Sequence, residues 1–153
     1  MVVDNFLPNP DHHLKNVLSG QFYEVQDGNK VFKGIQPRDG DEFAQLLINM
    51  YPDYEVAHNF IRLSPERQIE PNFIHSDEMM GDLTAILYLT KNPPKEDGTT
   101  LYDDEYNKIL ITNAKFNRLF VFDSTILHSR NIFDNYGQGE YSRIIQVAFL
   151  KKI

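Results

Sequence analysis

The sequence predicts a single α+β domain in which two helices precede roughly seven short strands folded into a sandwich or barrel. Three observations carry this expectation. Apolar residues recur at helical spacing early in the chain, with Phe43, Leu46, Leu47 and Met50 at i, i+3, i+4 and i+7. From Tyr54 onward the chain changes to runs rich in β-branched and aromatic residues, separated by turn-forming clusters. The length of 153 residues suits one core, and no repeat, low-complexity segment or linker divides 1–153.

Each element has a local reason. Val2–Leu7 reads as a short opening strand. Asn9-Pro10 supplies an N-cap followed by proline at the first helical position, and Gly20 is placed to end that helix. The second helix follows Pro37-Arg38-Asp39-Gly40 and is stopped by Pro52. Strands are expected over Tyr54–Leu63, Phe73–His75, Asp82–Thr90, Thr99–Tyr102, Arg118–Phe122, His128–Phe133 and Tyr141–Lys151. Asn92-Pro93-Pro94, Asp97-Gly98 and Tyr136-Gly137 provide turns between them. The two helices are expected to pack on one outer sheet.

Composition removes several function classes. The absence of cysteine excludes disulfides, thiolate zinc sites and cysteine nucleophiles. The opening MVVDNFLPNPDHH has neither a basic nor an apolar signal region, so a cytoplasmic location is expected. No apolar stretch approaches the ~20 residues of a membrane span. Acidic residues outnumber Lys and Arg by 22 to 15, for a net charge of -7, and the basic residues are scattered. Nonspecific binding to a nucleic-acid backbone is therefore not expected.

The chemistry centres on Phe73-Ile74-His75-Ser76-Asp77. On a strand, residues two apart share a face at a spacing of roughly 6–7 Å, so one imidazole and one carboxylate reach the same cation. The spacing alone is weak, because about 0.7 such pairs arise by chance at this composition. His128 adds weight: it stands where an apolar strand and a short turn lead into another strand. Two histidines and a carboxylate, without cysteine, match the facial triad of non-haem iron(II), which leaves three positions open. A bidentate oxo-acid fills two of them, and its far carboxylate then needs a cation inside an apolar barrel. Arg143 opens the apolar run Arg-Ile-Ile-Gln-Val-Ala-Phe and offers a bidentate guanidinium there. Taken singly, His128 reads as an ordinary core residue and Arg143 as a strand-start arginine reaching for solvent.

Together these pieces resemble the 2-oxoglutarate/iron(II) oxygenase superfamily, in its short prolyl-hydroxylase-like branch. The matching segments are His75-Ser-Asp77, Thr84-Ala-Ile-Leu-Tyr88-Leu-Thr90, Gly98-Thr-Thr-Leu-Tyr102, Arg118-Leu-Phe-Val-Phe-Asp-Ser124, Leu127-His128-Ser129 and Ser142-Arg143-Ile-Ile-Gln-Val-Ala-Phe149. They run in the family's order from about Val3 to the C-terminus. The resemblance implies a double-stranded β-helix, or jelly-roll barrel. It implies His75, Asp77 and His128 as ligands of Fe(II), Arg143 on the distal carboxylate of 2-oxoglutarate, and Tyr88 assisting that grip. It also implies dioxygen as cosubstrate, succinate and carbon dioxide as products, and hydroxylation of a second substrate. A prolyl residue is the first guess for that substrate, with a small molecule or a protein partner also open. The segment between His128 and Arg143 is longer than in many relatives, and its Asn131–Gly139 stretch reads as a lid or a surface hairpin.

Other histidines and acids are set aside on spacing. His12 and His13 fall on different faces of the first helix and are expected to be solvated. His58 has no partner two residues away. Glu78 and Asp82 lie outside the same-face spacing of Asp77, and Arg130 lies close to His128 for reaching across a barrel. Arg62 and Asn59, on the preceding strand, are open to facing the site, a point the sequence does not decide. Two readings from other classes compete: a zinc hydrolase on the same triad, and a non-catalytic jelly-roll binding module.

Overall fold

The computed structural model describes all 153 residues. In chain order the elements are β1 (Val2–Val3), α1 (Pro10–Leu18), β2 (Tyr23–Asp27), β3 (Lys30–Pro37), α2 (Glu42–Met50), β4 (Tyr54–Ser64) and β5 (Leu83–Tyr88). Then come β6 (Gly98–Tyr102), β7 (Lys108–Asn113), β8 (Arg118–Asp123), β9 (Leu127–Arg130) and β10 (Arg143–Lys152). A seven-stranded sheet runs β1-β8-β5-β10-β4-β3-β2 and a three-stranded sheet runs β7-β6-β9. Every pairing is antiparallel. The architecture is a jelly roll, as expected.

Both helices form where the sequence places them. Proline occupies the first turn of α1, and Leu14 and Val17 are its buried residues. Asp41 caps α2 by accepting the Ala44 N–H at 3.1 Å. Phe43, Ala44 and Leu47 are buried, whereas Met50 at the end of the expected stripe remains 38% exposed.

The centre of the large sheet, β8, β5 and β10, is covered on both faces, which explains its near-continuous apolar strands. Alternation along β10 sends Ile144, Ala148 and Leu150 into a core shared with Phe43, Leu47, Leu14 and Val17. Ile145, Val147 and Phe149 point the other way, into the barrel, with Ile86, Tyr88, Phe120, Phe122 and Leu101. Arg143 begins this second row. The barrel interior therefore receives the side chains that matter for chemistry.

The strand expectations need several corrections, beginning with His128–Phe133, which is strand only as far as Arg130. The opening strand is two residues, not Val2–Leu7. Phe73–His75 forms no strand, and only a single bridge joins His75 to His128. The hairpin β2–β3 was not anticipated, because all five β2 residues are exposed and show no in–out alternation. Its signal was the Asp27-Gly28-Asn29-Lys30 turn, with Asp27 opposite Lys30 and Gly28 at φ 62°. Strand β7 was missed for the same reason, since four of its first residues lie exposed.

Candidate metal and oxo-acid site

His75 and His128 come from segments far apart in sequence but meet as one bridge pair. The His75 N–H donates to the His128 carbonyl at 3.1 Å, and the His128 N–H donates back at 2.8 Å. Asp77 is anchored beside them, its N–H donating to the Ser124 carbonyl at 2.9 Å. The backbone thus fixes all three residues before any side chain acts.

The donor atoms of His75, Asp77 and His128 lie within 4.8 Å of one another. His75 Nε2 is 3.3 Å from one Asp77 oxygen, and His128 Nε2 is 2.9 Å from the other. Each Nδ1 faces a backbone carbonyl at 3.0 Å, Phe73 for His75 and Ile126 for His128. A neutral imidazole that donates from Nδ1 keeps its lone pair on Nε2, which is the tautomer a metal needs. The donor set therefore fits a divalent cation, whose charge would sit where both Nε2 atoms converge on the carboxylate.

The metal-free electrostatics agree. Burial opposes the charge of Asp77, but the hydrogen bonds and positive fields of His128 and His75 hold it well below the usual carboxylate range. Burial also opposes protonation of His75, yet its bonds to Asp77 and the Phe73 carbonyl raise its pKa overall. Phe122 walls the site, its ring 4.8 Å from that of His128.

Beyond the triad, the barrel interior holds a cluster of charge. Arg143 is 4% exposed, and its Nε donates to Asp97 at 3.3 Å. No protein acceptor meets its terminal amino groups. Tyr88 is buried, its hydroxyl 2.5 Å from that of Thr99, and burial pushes its pKa up to about 12. Register places Arg62 and Tyr88 on either side of Ile145, so both flank the strand that carries Arg143.

Arg130, set aside as too close to His128 to reach easily across the barrel, lies within this charge cluster. It stands on the inner face opposite Thr99, two residues beyond His128, and donates to Glu70 at 2.7 Å. Burial, and then the positive charge of Arg143, lower its pKa to about 10. Arg62 lies 3.0 Å from the other oxygen of Glu70. Glu70 also accepts the Ser64 hydroxyl, and its side chain is only 3% exposed. Arg62 Nε and Arg130 Nε have no hydrogen-bond partner.

Several contributors were invisible in the sequence. Asp97 read only as half of a turn, yet it is 2% exposed and accepts from Gly98 N–H, Tyr136 OH and Arg143. Gly98 sits at φ 149°, and any side chain there would overlap the Thr112 carbonyl. Segment 131–139 is neither free lid nor simple hairpin. Tyr136 binds Asp97 at 2.6 Å, Asn135 takes an Arg130 N–H at 2.6 Å, and Asn135 donates to the Gln68 carbonyl.

The remaining expectations divide. Glu78 and Asp82 stay outside the triad. Asn59 faces the helices rather than the site, bonding Asp41 and Gln146. His58 is exposed and meets Phe149 edge-on at 6.1 Å. His13 is not simply solvated, because its Nε2 lies 2.7 Å from the Gln146 side-chain oxygen. No helix is long and apolar enough to cross a membrane.

Fold and site together define a class: jelly-roll proteins with an interior His-Asp-His cluster and an arginine on the final strand. No protein-family model matches the sequence. No curated protein sequence matches it either. Solved structures do match, among them prolyl hydroxylases, an α-ketoglutarate-dependent epimerase and an oxidoreductase of the 2OG-Fe(II) oxygenase family from Burkholderia pseudomallei. A prolyl hydroxylase from Trichoplax adhaerens, solved with a peptide of the hypoxia inducible factor degradation domain, aligns with a TM-score of 0.73 at 18% identity. The alignment covers 99% of this chain and 83% of that one. A prolyl-4-hydroxylase from Pseudomonas putida aligns at 0.66 and 15% identity, over 100% and 92% of the two chains. The α-ketoglutarate-dependent epimerase SnoN of nogalamycin biosynthesis aligns at 0.69 and 11% identity, over 99% and 76%. The chain shares the fold of these solved structures.

Proposed function

We propose that this chain is an Fe(II)- and 2-oxoglutarate-dependent oxygenase that hydroxylates a second substrate, with His75, Asp77 and His128 holding the metal. The observation that carries the reading is the pairing of two features inside one barrel. The first is a His-Asp-His donor set whose Nε2 atoms converge on a carboxylate. The second is a buried cluster in which Arg62, Arg130 and Arg143 outnumber Glu70 and Asp97, leaving one positive charge uncompensated. A buried unpaired charge is costly, and the far carboxylate of the oxo-acid is the group that would neutralise it.

Each residue then has a task. Arg143 presents its terminal amino groups to the carboxylate, while Asp97 holds the guanidinium by Nε. The Tyr88–Thr99 hydroxyl pair offers a hydroxyl hydrogen from the side of the barrel. Phe120, Phe122 and Phe149 keep water from the interior. The iron, when bound, supplies the redox chemistry that couples oxidative decarboxylation of 2-oxoglutarate by dioxygen to hydroxylation.

For the substrate, a prolyl or similar residue of a peptide is the first choice, on the likeness to two prolyl hydroxylases; likeness of fold does not fix a substrate. A zinc hydrolase on the same triad would leave Arg143 and Tyr88 without a role. The test is succinate formation from 2-oxoglutarate by the iron-loaded protein, with and without proline-containing peptides. Iron-dependent succinate that disappears in Asp77→Ala supports the reading, and no oxo-acid turnover with any substrate would sink it.

A further inference from the structure

Asp77 is the one member of the triad whose backbone lies outside any strand or bridge. His128 belongs to β9, and His75 pairs with it. Asp77 instead opens a turn, Asp77–Asp82, that leads into β5. The residues in the middle of that turn do not hold it, because Glu78, Met79 and Met80 are exposed.

One residue holds both ends of the turn. The Ser124 carbonyl accepts the Asp77 N–H at 2.9 Å, and the Ser124 N–H donates to the Asp82 carbonyl at 3.0 Å. The far side of the turn rests on β10, where the Asp82 N–H donates to the Leu150 carbonyl at 2.7 Å. Any side chain at Gly81 would come within 2.9 Å of that same oxygen, so the turn has no room to move toward β10. The placement of Asp77 therefore follows Ser124.

Ser124 itself lies just past the last residue pair of β5 and β8, Leu83↔Asp123. Its side chain ties it down there. Ser124 Oγ meets Thr84 Oγ1 at 2.8 Å, and the two residues are 0% and 1% exposed. Neither hydroxyl has another protein partner, so removing one leaves the other buried and unpaired. Thr84 stands in the inner row of the large sheet between Phe149 and Phe122, and Phe122 is the ring against His128. The pair thus fastens the end of β8 to β5 directly beside the triad.

We propose that the Thr84–Ser124 hydroxyl pair positions the Asp77 carboxylate for metal binding, acting through the Ser124 carbonyl. The inference rests on reading His75, Asp77 and His128 as a metal site. Asp77 is the acceptor on which both histidine Nε2 atoms converge, so a displaced carboxylate disturbs the whole donor set. Groups that orient metal ligands from outside typically change affinity 10–100-fold, and a pair acting through one further bond belongs at the low end, about tenfold.

Co(II) is the probe, because its binding and its d–d absorption are read without turnover. Wild type, Thr84→Val, Thr84→Ser, Ser124→Ala and the Thr84→Val/Ser124→Ala double variant are titrated by calorimetry, and thermal unfolding checks that each folds cooperatively. Thr84→Val and Ser124→Ala should each bind Co(II) about tenfold more weakly, with an altered d–d band. The double variant should lose no more than either single one, because both remove the same bond. Thr84→Ser keeps the hydroxyl and should bind like wild type. Ser124→Ala carries the test alone if Thr84→Val fails to fold. Affinities within about twofold of wild type, an equal loss in Thr84→Ser, or additive losses in the double variant would each overturn the proposal and leave the metal site standing. A wild type that binds no Co(II) would remove the metal-site reading and this proposal together.

Discussion

His75 and His128 exchange both backbone hydrogen bonds across a single bridge, and their rings stand 4.4 Å apart. This pairing delivers two imidazoles to one point without any strand around His75. It makes the His-Asp-His cluster a product of backbone pairing, so side-chain changes there should leave the fold standing.

Fe(II) should therefore stabilise the folded chain through the triad alone. Ligand present at 100 times its Kd adds about 2.7 kcal/mol. Thermal unfolding under anaerobic conditions should shift upward by several degrees with Fe(II) in the wild type. No shift is expected in His128→Ala, which should still unfold cooperatively.

Arg143→Lys keeps the charge but loses the planar fork, and should raise the 2-oxoglutarate requirement roughly tenfold to a hundredfold with little effect on iron affinity. Tyr88→Phe removes one hydroxyl and should raise it about fivefold, in line with one neutral hydrogen bond of ~1 kcal/mol. Steady-state kinetics of succinate formation separate the two.

Tyr136→Phe removes the 2.6 Å bond to Asp97, which in turn holds Arg143 by Nε. The expected effect is a severalfold rise in KM for the oxo-acid with kcat nearly unchanged. A loss confined to kcat would show that Tyr136 acts elsewhere.

Glu70 sets an acid limit on stability. Burial raises its pKa, but Arg62, the Ser64 hydroxyl and Arg130 outweigh that and hold it below its ordinary 4.5. A depressed carboxylate contributes stability above its unfolded pKa and loses it as pH falls through the folded value. Glu70→Gln should cost about 3 kcal/mol near pH 7, because two buried guanidinium groups lose their counter-charge. Urea unfolding should show the difference from wild type shrinking as pH drops below about 4.5.

The sequence revealed the outline and the triad for physical reasons. Helix α2 and the apolar strands β5, β8 and β10 announce themselves by period, and His75, Asp77 and His128 by their order within the segments that carry the resemblance. The arginine cluster did not. Arg62, Glu70, Asp97 and Arg130 meet through strand register and loops of irregular backbone, which have no period to read. Strands β2 and β7 were hidden because exposed edge strands need not alternate. Phe73–His75 misled in the opposite direction, since its apolar residues looked like a strand but make one bridge only.

The central claim is tested most directly by anaerobic titration of metal-free protein with Fe(II) and then 2-oxoglutarate, followed by visible absorption. The account predicts a weak charge-transfer band that appears only when both are present, is absent in His128→Ala, and needs far more oxo-acid in Arg143→Ala. Absence of the band together with absence of iron binding would contradict it, and would leave a jelly-roll domain whose His-Asp-His cluster holds no metal.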